Sequence, residues 1–464
     1  MKSLIELPTQ NSKSTTHNSF LVGLLLFLVI VISYSPSLKT GFLWDDKGSV
    51  QFNPYLLRVD VSTFFSNCEA SLPHGNKEIY RPLRTLFLSL IRCFFGPDPM
   101  PFHAFNMLLH FLVCLMIYHY LRILFSRSTA FLTSLLFAIH PVHSESLNLI
   151  IGSADLLCLF FLLFALTANH MSGYRKTILT AIFLLFALFS KETAVIGLPL
   201  VWLDDFQQGK KNLKKILFNV RTFLYLGITF FYLFIRWSLT GKMTQLSHHG
   251  NTWLHHIDFA LQGFLTYMRL FIWPRNLKLD YIFFPGPFWL TALVFFIVGT
   301  GIFWLYKKSP AASPFRYGLA WFFICYLPIS NILPIKTVVS ERLMYLPSLG
   351  LCLFFSALIE QWMARKKIQG RIFFFSLACV FSFLTHARNK EWNNEDVFWK
   401  LNLQRAPMSA RAHANYAVRM MLQKDYKSAE CLFETAVAYN PNEKAFRQGL
   451  ERVRQEKNKL FSHE

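Results

Sequence analysis

Long apolar runs recur along this chain at close to the length of a bilayer crossing, and no other feature limits its fold so strongly. A chain crossing hydrocarbon must satisfy every backbone N–H and C=O internally, so only helices and closed barrels qualify, and uninterrupted apolar runs are helical. We read spans near 19–36, 102–125, 128–140, 146–168, 176–189, 192–204, 218–236, 287–306, 315–334, 343–362 and 370–386. Several fall short of the roughly 20 apolar residues of a straight crossing. Hydrophobic residues make up 53% of the chain and charged ones only 16%, against roughly 25% charged in soluble domains. The expected class is all-α and polytopic, with about eleven transmembrane helices. The first run is too long for a signal-peptide core and lacks a small-residue cleavage site, so it reads as an anchor.

The net charge of +21 does not indicate nucleic acid, which would need the basic residues on one soluble face. They sit instead in short clusters between apolar runs. With a cytoplasmic N-terminal tail at 1–18, the inner loops hold Arg122 and Arg127, Arg175 and Lys176, Lys210 to Arg221, Lys307 to Arg316, and Arg365 to Arg371, as the positive-inside rule requires. The eight cysteines fall mostly within apolar runs and lack metal-type spacing, so neither a disulfide framework nor a zinc site is expected.

This topology holds if the amphipathic segment 257–273 stays interfacial or re-entrant. An odd number of spans then puts the C-terminus on the far side, either bacterial periplasm or the lumen of the endoplasmic reticulum. There it joins the loop 37–101, the HPVHSE and SKE corners, the loop 237–286 and the stretch SNILPIKTVVSERLMY. Within the first loop, RPLRTLFLSLIRCFF (81–95) suits an amphipathic helix, with Arg84 and Arg92 on its polar stripe.

Several polar motifs on that face are candidates for chemistry. In GFLWDDKGSV, Asp45 and Asp46 either mark the translocated end of a helix or include a general base, since a carboxylate held within hydrogen-bond reach accepts a proton from an incoming hydroxyl. In AIHPVHSESLNLIIGSADLL, His140, His143 and Glu145 allow a metal site, but without a third convergent ligand substrate hydrogen bonding is preferred, and no metal is assigned. Asp155 is an intramembrane acid, a functional candidate by its cost alone. FSKETAV places Lys191 and Glu192 either in a polar turn or against an anionic ligand. In VSERLMYLPSLG, Glu341, Arg342 and Tyr345 sit at the mouth of a span, where a guanidinium binds phosphate bidentately or snorkels to the interface. EIYRPLR adds Glu78, Tyr80 and Arg81, for which interfacial anchoring is sufficient.

Beyond residue 386 the composition turns polar. Residues 410–441 match one 34-residue helical-pair repeat, with Tyr416, Ala417, Ala429, Phe433, Ala436 and Pro441 at the packing offsets. Residues 394–410 resemble half of a preceding repeat, and 443–458 a charged capping helix. So short an array cannot close its own core, so 387–464 is expected to dock on the membrane domain 19–386 or on a partner.

The ordered set FLWDD, YRPL, FHAFNMLLH, FAIHPVHSE, SADLL, SKE, LDY after Trp273 and Pro274, SERLMYLPSLG and ARNKEW, followed by the repeat, resembles the transmembrane and TPR-repeat-containing O-mannosyltransferases and their bacterial relatives, from about residue 19 to 441. The resemblance implies a GT-C glycosyltransferase fold with a TPR-like tail, a polyprenyl-phosphate sugar donor, most simply mannose, and an active site on the extracytoplasmic face. It matches Asp45 and Asp46 to the acidic pair of the first outer loop, where the catalytic carboxylate sits, and from the depth of that pair we expect an inverting displacement with Asp46 as the preferred base. Arg342 would hold the leaving phosphate with Lys191 or Arg81, while His140, His143, Glu145, Asp155, Glu192, Glu341 and Tyr345 line the sugar or acceptor. The acceptor is expected to be a protein Ser or Thr hydroxyl, met in part by the tail, or alternatively a cell-envelope glycan or lipid. The short tail favours a bacterial inner membrane over the endoplasmic reticulum. Readings from other classes are a transporter, disfavoured by the lack of a repeat between halves, and a membrane-anchored scaffold, which leaves the gathered polar corners unexplained.

Overall fold

The computed structural model describes residues 12–73, 79–209, 212–241, 253–283, 286–310, 313–332, 335 and 337–461, so Glu78 lies outside the described residues. Among them no strand forms. Helix α1 (Ser12–Tyr34) is apolar on all sides from Phe20 onward, as suits a rod between lipid and protein: Leu26, Ile30 and Tyr34 are buried while Phe20, Leu24 and Phe27 are exposed. The first loop then folds into α2 (Val61–Ser66), which Asp60 caps through the N–H of Thr63 at 3.0 Å, and α3 (Pro82–Phe95). Proline opens α3 where its missing N–H costs nothing. The stripe holding Arg84 turns into the protein, while Phe94 and Phe95 face out.

There follow α4 (Met100–Leu124), α5 (Arg127–Ala138), the single turn α6 (Ser144–Asn148), α7 (Ser153–Ala168), α8 (Gly173–Ser190), α9 (Gly197–Gln207), α10 (Leu213–Leu217), α11 (Val220–Thr240), α12 (Trp253–Ile272), α13 (Phe288–Lys308), α14 (Pro314–Tyr326), α15 (Tyr345–Arg365) and α16 (Lys367–Glu391). Eight stretches among the described residues are long and apolar enough to cross a membrane, and each falls on an expected span. The chain is an integral membrane protein. The other three expected spans form α5, α9 and α14, of 12, 11 and 13 residues, about 16–20 Å at 1.5 Å per residue against a hydrocarbon core of ~30 Å. Each is interrupted on the side of the polar corners: α5 stops before His140 and Pro141, α9 follows the tight turn Glu192–Ile196, and α14 ends at Leu327–Ile329. These breaks sink the corners below the helix ends. The 257–273 segment is one continuous helix, α12, with Phe259, Phe264, Tyr267 and Leu270 buried on one side.

The centre of the bundle is α4, α5, α7 and α15, and α13 at the periphery has no buried residue. Helices α14 and α15 meet backbone to backbone at Gly318 and Gly350, where a Cβ on Gly350 would stand 2.3 Å from the Gly318 carbonyl oxygen. Small residues permit such approaches where no hydrophobic effect drives helices together.

The tail comprises α17 (Glu395–Arg405), α18 (Ala410–Leu422), α19 (Tyr426–Tyr439) and α20 (Lys444–Phe461). Ala417, Ala429, Phe433 and Ala436 close the α18–α19 hairpin, which α20 covers through Val453. Helix α17 does not join that core. Its Phe398 and Trp399 pack with Trp392 against Leu43, Val50 and Leu56 of the first loop and Leu279, so the tail's first helix is built into the membrane domain.

Candidate active site

Trp44 holds a left-handed backbone, φ +46°, which is rare for an aromatic residue and places the two following carboxylates in different surroundings. Asp46 is fully buried, and its two oxygens accept the N–H groups of Ile150 and Ile151, each at 3.0 Å. These are free donors because the turn Ile150–Gly152 starts the α7 stack, and first-turn N–H groups have no intrahelical partner. Burial pushes the Asp46 carboxyl up from 3.8 to about 7, the two N–H bonds opposing and Asp45 reinforcing the shift. Asp45 stays open, its side chain 39% exposed. Asp46, the preferred base of the sequence reading, thus has both oxygens bonded to backbone N–H groups and no solvent exposure. Asp45 is the accessible carboxylate of the pair, and Asp46 ties their loop to the start of the α7 stack.

Arg342 lies across from Asp45, with its guanidinium 3.8 Å from the Asp45 carboxylate, 3.6 Å from Glu145 and 5.9 Å from the centre of the Trp44 ring. Neither ion pair is within hydrogen-bond distance, and the side chain is 26% exposed, so its N–H fork is open to an anion. Glu145 is not open. It is buried and accepts Ser340 Oγ at 2.9 and 3.0 Å and the Arg342 N–H at 3.0 Å, so it fastens the turn that carries the guanidinium. Glu341 points the other way, into the protein, where it accepts the Tyr281 hydroxyl at 2.9 Å and faces Arg388 at 3.7 Å.

A second charged group lies beside the first. Arg81 forks onto Glu192 at 2.7 and 3.0 Å, Arg236 approaches Glu192 at 3.6 Å, and Lys191 is joined to Asp155 with both side chains buried. Arg84 links the two groups. Burial, followed by the like charge of Arg81, pulls it down to about 9, while Glu192 on one side and Asp46 and Asp45 on the other pull it back. Sequence reasoning did not assign roles to Arg84, Arg236 or Trp44. Arg84 lies in the first turn of α3, just after Arg81 at its N-cap, and an arginine inside an apolar run, such as Arg236, is a functional candidate by its cost.

Three expected sugar ligands lie buried with partners inside the protein. His140 is buried, accepts the Val142 N–H at 3.2 Å and pairs with the Phe271 carbonyl at 3.0 Å. His143 is paired with the Phe137 carbonyl at 2.9 Å and Ser348 at 2.8 Å, and the Tyr345 hydroxyl with His110 at 2.8 Å. Each of these groups has a partner within the bundle. Among the described residues no group of three or more His, Cys, Asp and Glu side chains could hold a metal.

No family model matches the chain. It is 25% identical to a protein O-mannosyl-transferase of Caenorhabditis elegans over 445 residues, covering 90% of this chain and 63% of that protein. Against protein O-mannosyl-transferase TMTC1 of Homo sapiens it is 27% identical, covering 88% and 54%, and against TMTC4 of Mus musculus 26%, covering 88% and 65%. Among solved structures it aligns with ArnT from Cupriavidus metallidurans bound to undecaprenyl phosphate at a TM-score of 0.47 and 13% identity, covering 95% of this chain and 76% of that one. It aligns with the oligosaccharyltransferase AglB from Archaeoglobus fulgidus, in complex with an inhibitory peptide and a dolichol-phosphate, at 0.46 and 13%, covering 89% and 59%. The chain is thus a sequence relative of the protein O-mannosyl-transferases across about nine-tenths of its own length, while spanning between a half and two-thirds of theirs.

Proposed function

We propose that this protein is a membrane glycosyltransferase that moves a sugar, most simply mannose, from a polyprenyl-phosphate donor to a hydroxyl acceptor, with a protein Ser or Thr as the first acceptor class. The observation that carries the reading is the pairing of an open carboxylate, Asp45, with an open guanidinium, Arg342, at the end of the first membrane helix. A lipid-linked sugar keeps its tail in the bilayer and its phosphate at the interface, so its reaction belongs at that depth.

Asp45 takes the proton of the acceptor hydroxyl as the oxygen attacks the anomeric carbon. The bond from that carbon to the phosphate oxygen breaks on the opposite face, and polyprenyl phosphate departs as an anion against Arg342. Separate groups at the entering and leaving oxygens suit an inverting displacement once the sugar enters between Asp45 and Arg342 and parts them from the 3.8 Å at which they stand in the free protein. Lys191 and Arg81 are already paired with Asp155 and Glu192, so we assign them the shape of the chamber and not the first contact with phosphate. We place the site on the extracytoplasmic face, because the basic loops lie at the other ends of the spans.

The test is transfer of radiolabelled mannose from polyprenyl-phosphate mannose by the purified protein, offered peptides and membrane lipids separately. Label on peptide that falls about 100-fold or more in Asp45→Asn supports the reading. Label on lipid alone replaces the acceptor and keeps the chemistry. Transfer that survives Asp45→Asn refutes the assignment of the base.

A further inference from the structure

We propose, resting on the function proposed above, that α17 is a clamp that sets the separation of Asp45 from Arg342, making Lys47, Glu395, Arg405, Glu391 and Arg388 positioning residues for the reaction. One end of α17 holds the loop of the carboxylate. Glu395 accepts Lys47, two residues beyond Asp45, at 2.8 and 2.9 Å, and Arg419 of α18 backs it at 3.6 Å. The other end holds the turn of the guanidinium through a chain of alternating charge. Arg405 forks onto Glu391 at 2.6 and 2.7 Å, Glu391 accepts Arg388 at 2.6 Å, and Arg388 faces Glu341, the neighbour of Arg342, at 3.7 Å.

The loop 277–281 fills the angle between these two ends. Its Leu277 carbonyl accepts Arg405 at 3.0 Å, its Leu279 N–H donates to Asn402 at 2.9 Å, and its Tyr281 hydroxyl donates to Glu341. One helix therefore touches both sides of the site while contributing no atom to it. Glu341 and Arg388 are buried, and a buried charge left without its partner forces rearrangement, so the chain transmits a change at α17 to the turn of Arg342. Reacting groups displaced by about 1 Å lose on the order of 100-fold in rate. Two arms on one helix also predict that they fail differently: loosening the Lys47 arm displaces the base, and loosening the Arg405 arm displaces the phosphate ligand.

The experiment uses the full chain in lipid nanodiscs, with undecaprenyl phosphate binding read by native mass spectrometry beside the kinetics of sugar transfer. Arg405→Gln is expected to weaken undecaprenyl phosphate binding at least fivefold and raise the donor KM by the same factor with kcat within twofold, and Arg405→Lys to recover most of the loss. Lys47→Gln is expected to leave binding within twofold and lower kcat at least tenfold, and Glu395→Gln reads the same arm from the tail side should the Lys47 variant not fold. A tail that merely docks would lower the melting temperature of these variants without dividing KM from kcat. Variants that bind and turn over like the wild type, or that lose binding and kcat in parallel, overturn the clamp alone. A wild-type protein that neither binds undecaprenyl phosphate nor transfers sugar removes the proposed function, and the clamp with it.

Discussion

Replacing Asp46 by Asn should flatten the dependence of stability on pH, by an amount set by where this carboxyl sits. Its ordinary value is 3.8, and burial takes it to about 7 in the folded protein despite two N–H donors on its oxygens. The folded state then binds this proton more tightly than the unfolded chain does. Stability is therefore greatest when the group is protonated in both states and is lost as pH rises from about 4 to about 7. At ~1.4 kcal/mol per unit, the cost of folding grows from roughly 2 kcal/mol at pH 5 to roughly 4 at pH 8. Asn does not titrate. It keeps one oxygen for Ile150 or Ile151 and turns an NH2 on the other, a pH-independent cost of about 1–3 kcal/mol. The variant should gain on the wild type by roughly 2–3 kcal/mol between pH 5 and pH 8. Reversible unfolding in mixed micelles titrated with SDS at four pH values reads that difference. A difference constant to within about 0.5 kcal/mol would mean that the two N–H bonds outweigh burial and keep Asp46 ionised.

Three further outcomes follow from named contacts. Lys191→Met leaves Asp155 buried and uncompensated and should cost about 3–5 kcal/mol, most of it recovered when Asp155→Leu is added; a silent single variant in the same SDS titration would contradict the buried pair. Arg342→Lys keeps the charge and loses the planar fork, so undecaprenyl phosphate binding in nanodiscs should weaken about 10-fold, with Arg342→Gln weaker still; equal binding by Lys would place the phosphate elsewhere. Gly350→Ala puts a Cβ 2.3 Å from the Gly318 carbonyl oxygen, whereas Gly301→Ala on α13 meets nothing within 4 Å, so melting temperature should fall by several degrees in the first and hold in the second.

The site was legible in proportion to how far a residue's chemistry conflicts with its surroundings. Asp45, Asp46, Arg342 and Glu145 stand out because charge beside long apolar runs is costly, and the structure gathers them at one opening. The same rule also flagged His140, His143 and Tyr345, yet these are satisfied in the core by carbonyls and by Ser348 and His110. Polarity in an apolar run reports that a partner is needed, and a backbone carbonyl meets that need as well as a substrate does. Division of labour between the two aspartates was not legible, because adjacent residues have the same local sequence. It took the left-handed backbone at Trp44 and the N–H groups of Ile150 and Ile151, about a hundred residues away in the chain, to separate them.

The sequence by itself determined that this chain is helical and crosses a membrane, which ends carry the basic loops, and that 410–441 forms a helical pair. Those properties depend on composition and on periods of a few residues, which any local segment displays. Tertiary structure alone decided which carboxylate is open, that Arg81 and Lys191 are closed off by Glu192 and Asp155, and that α17 belongs with the first loop more than with the hairpin that follows it. Each of those depends on partners between about 30 and 350 residues apart, brought together by burial, and burial is a property of the packed chain that no segment carries alone.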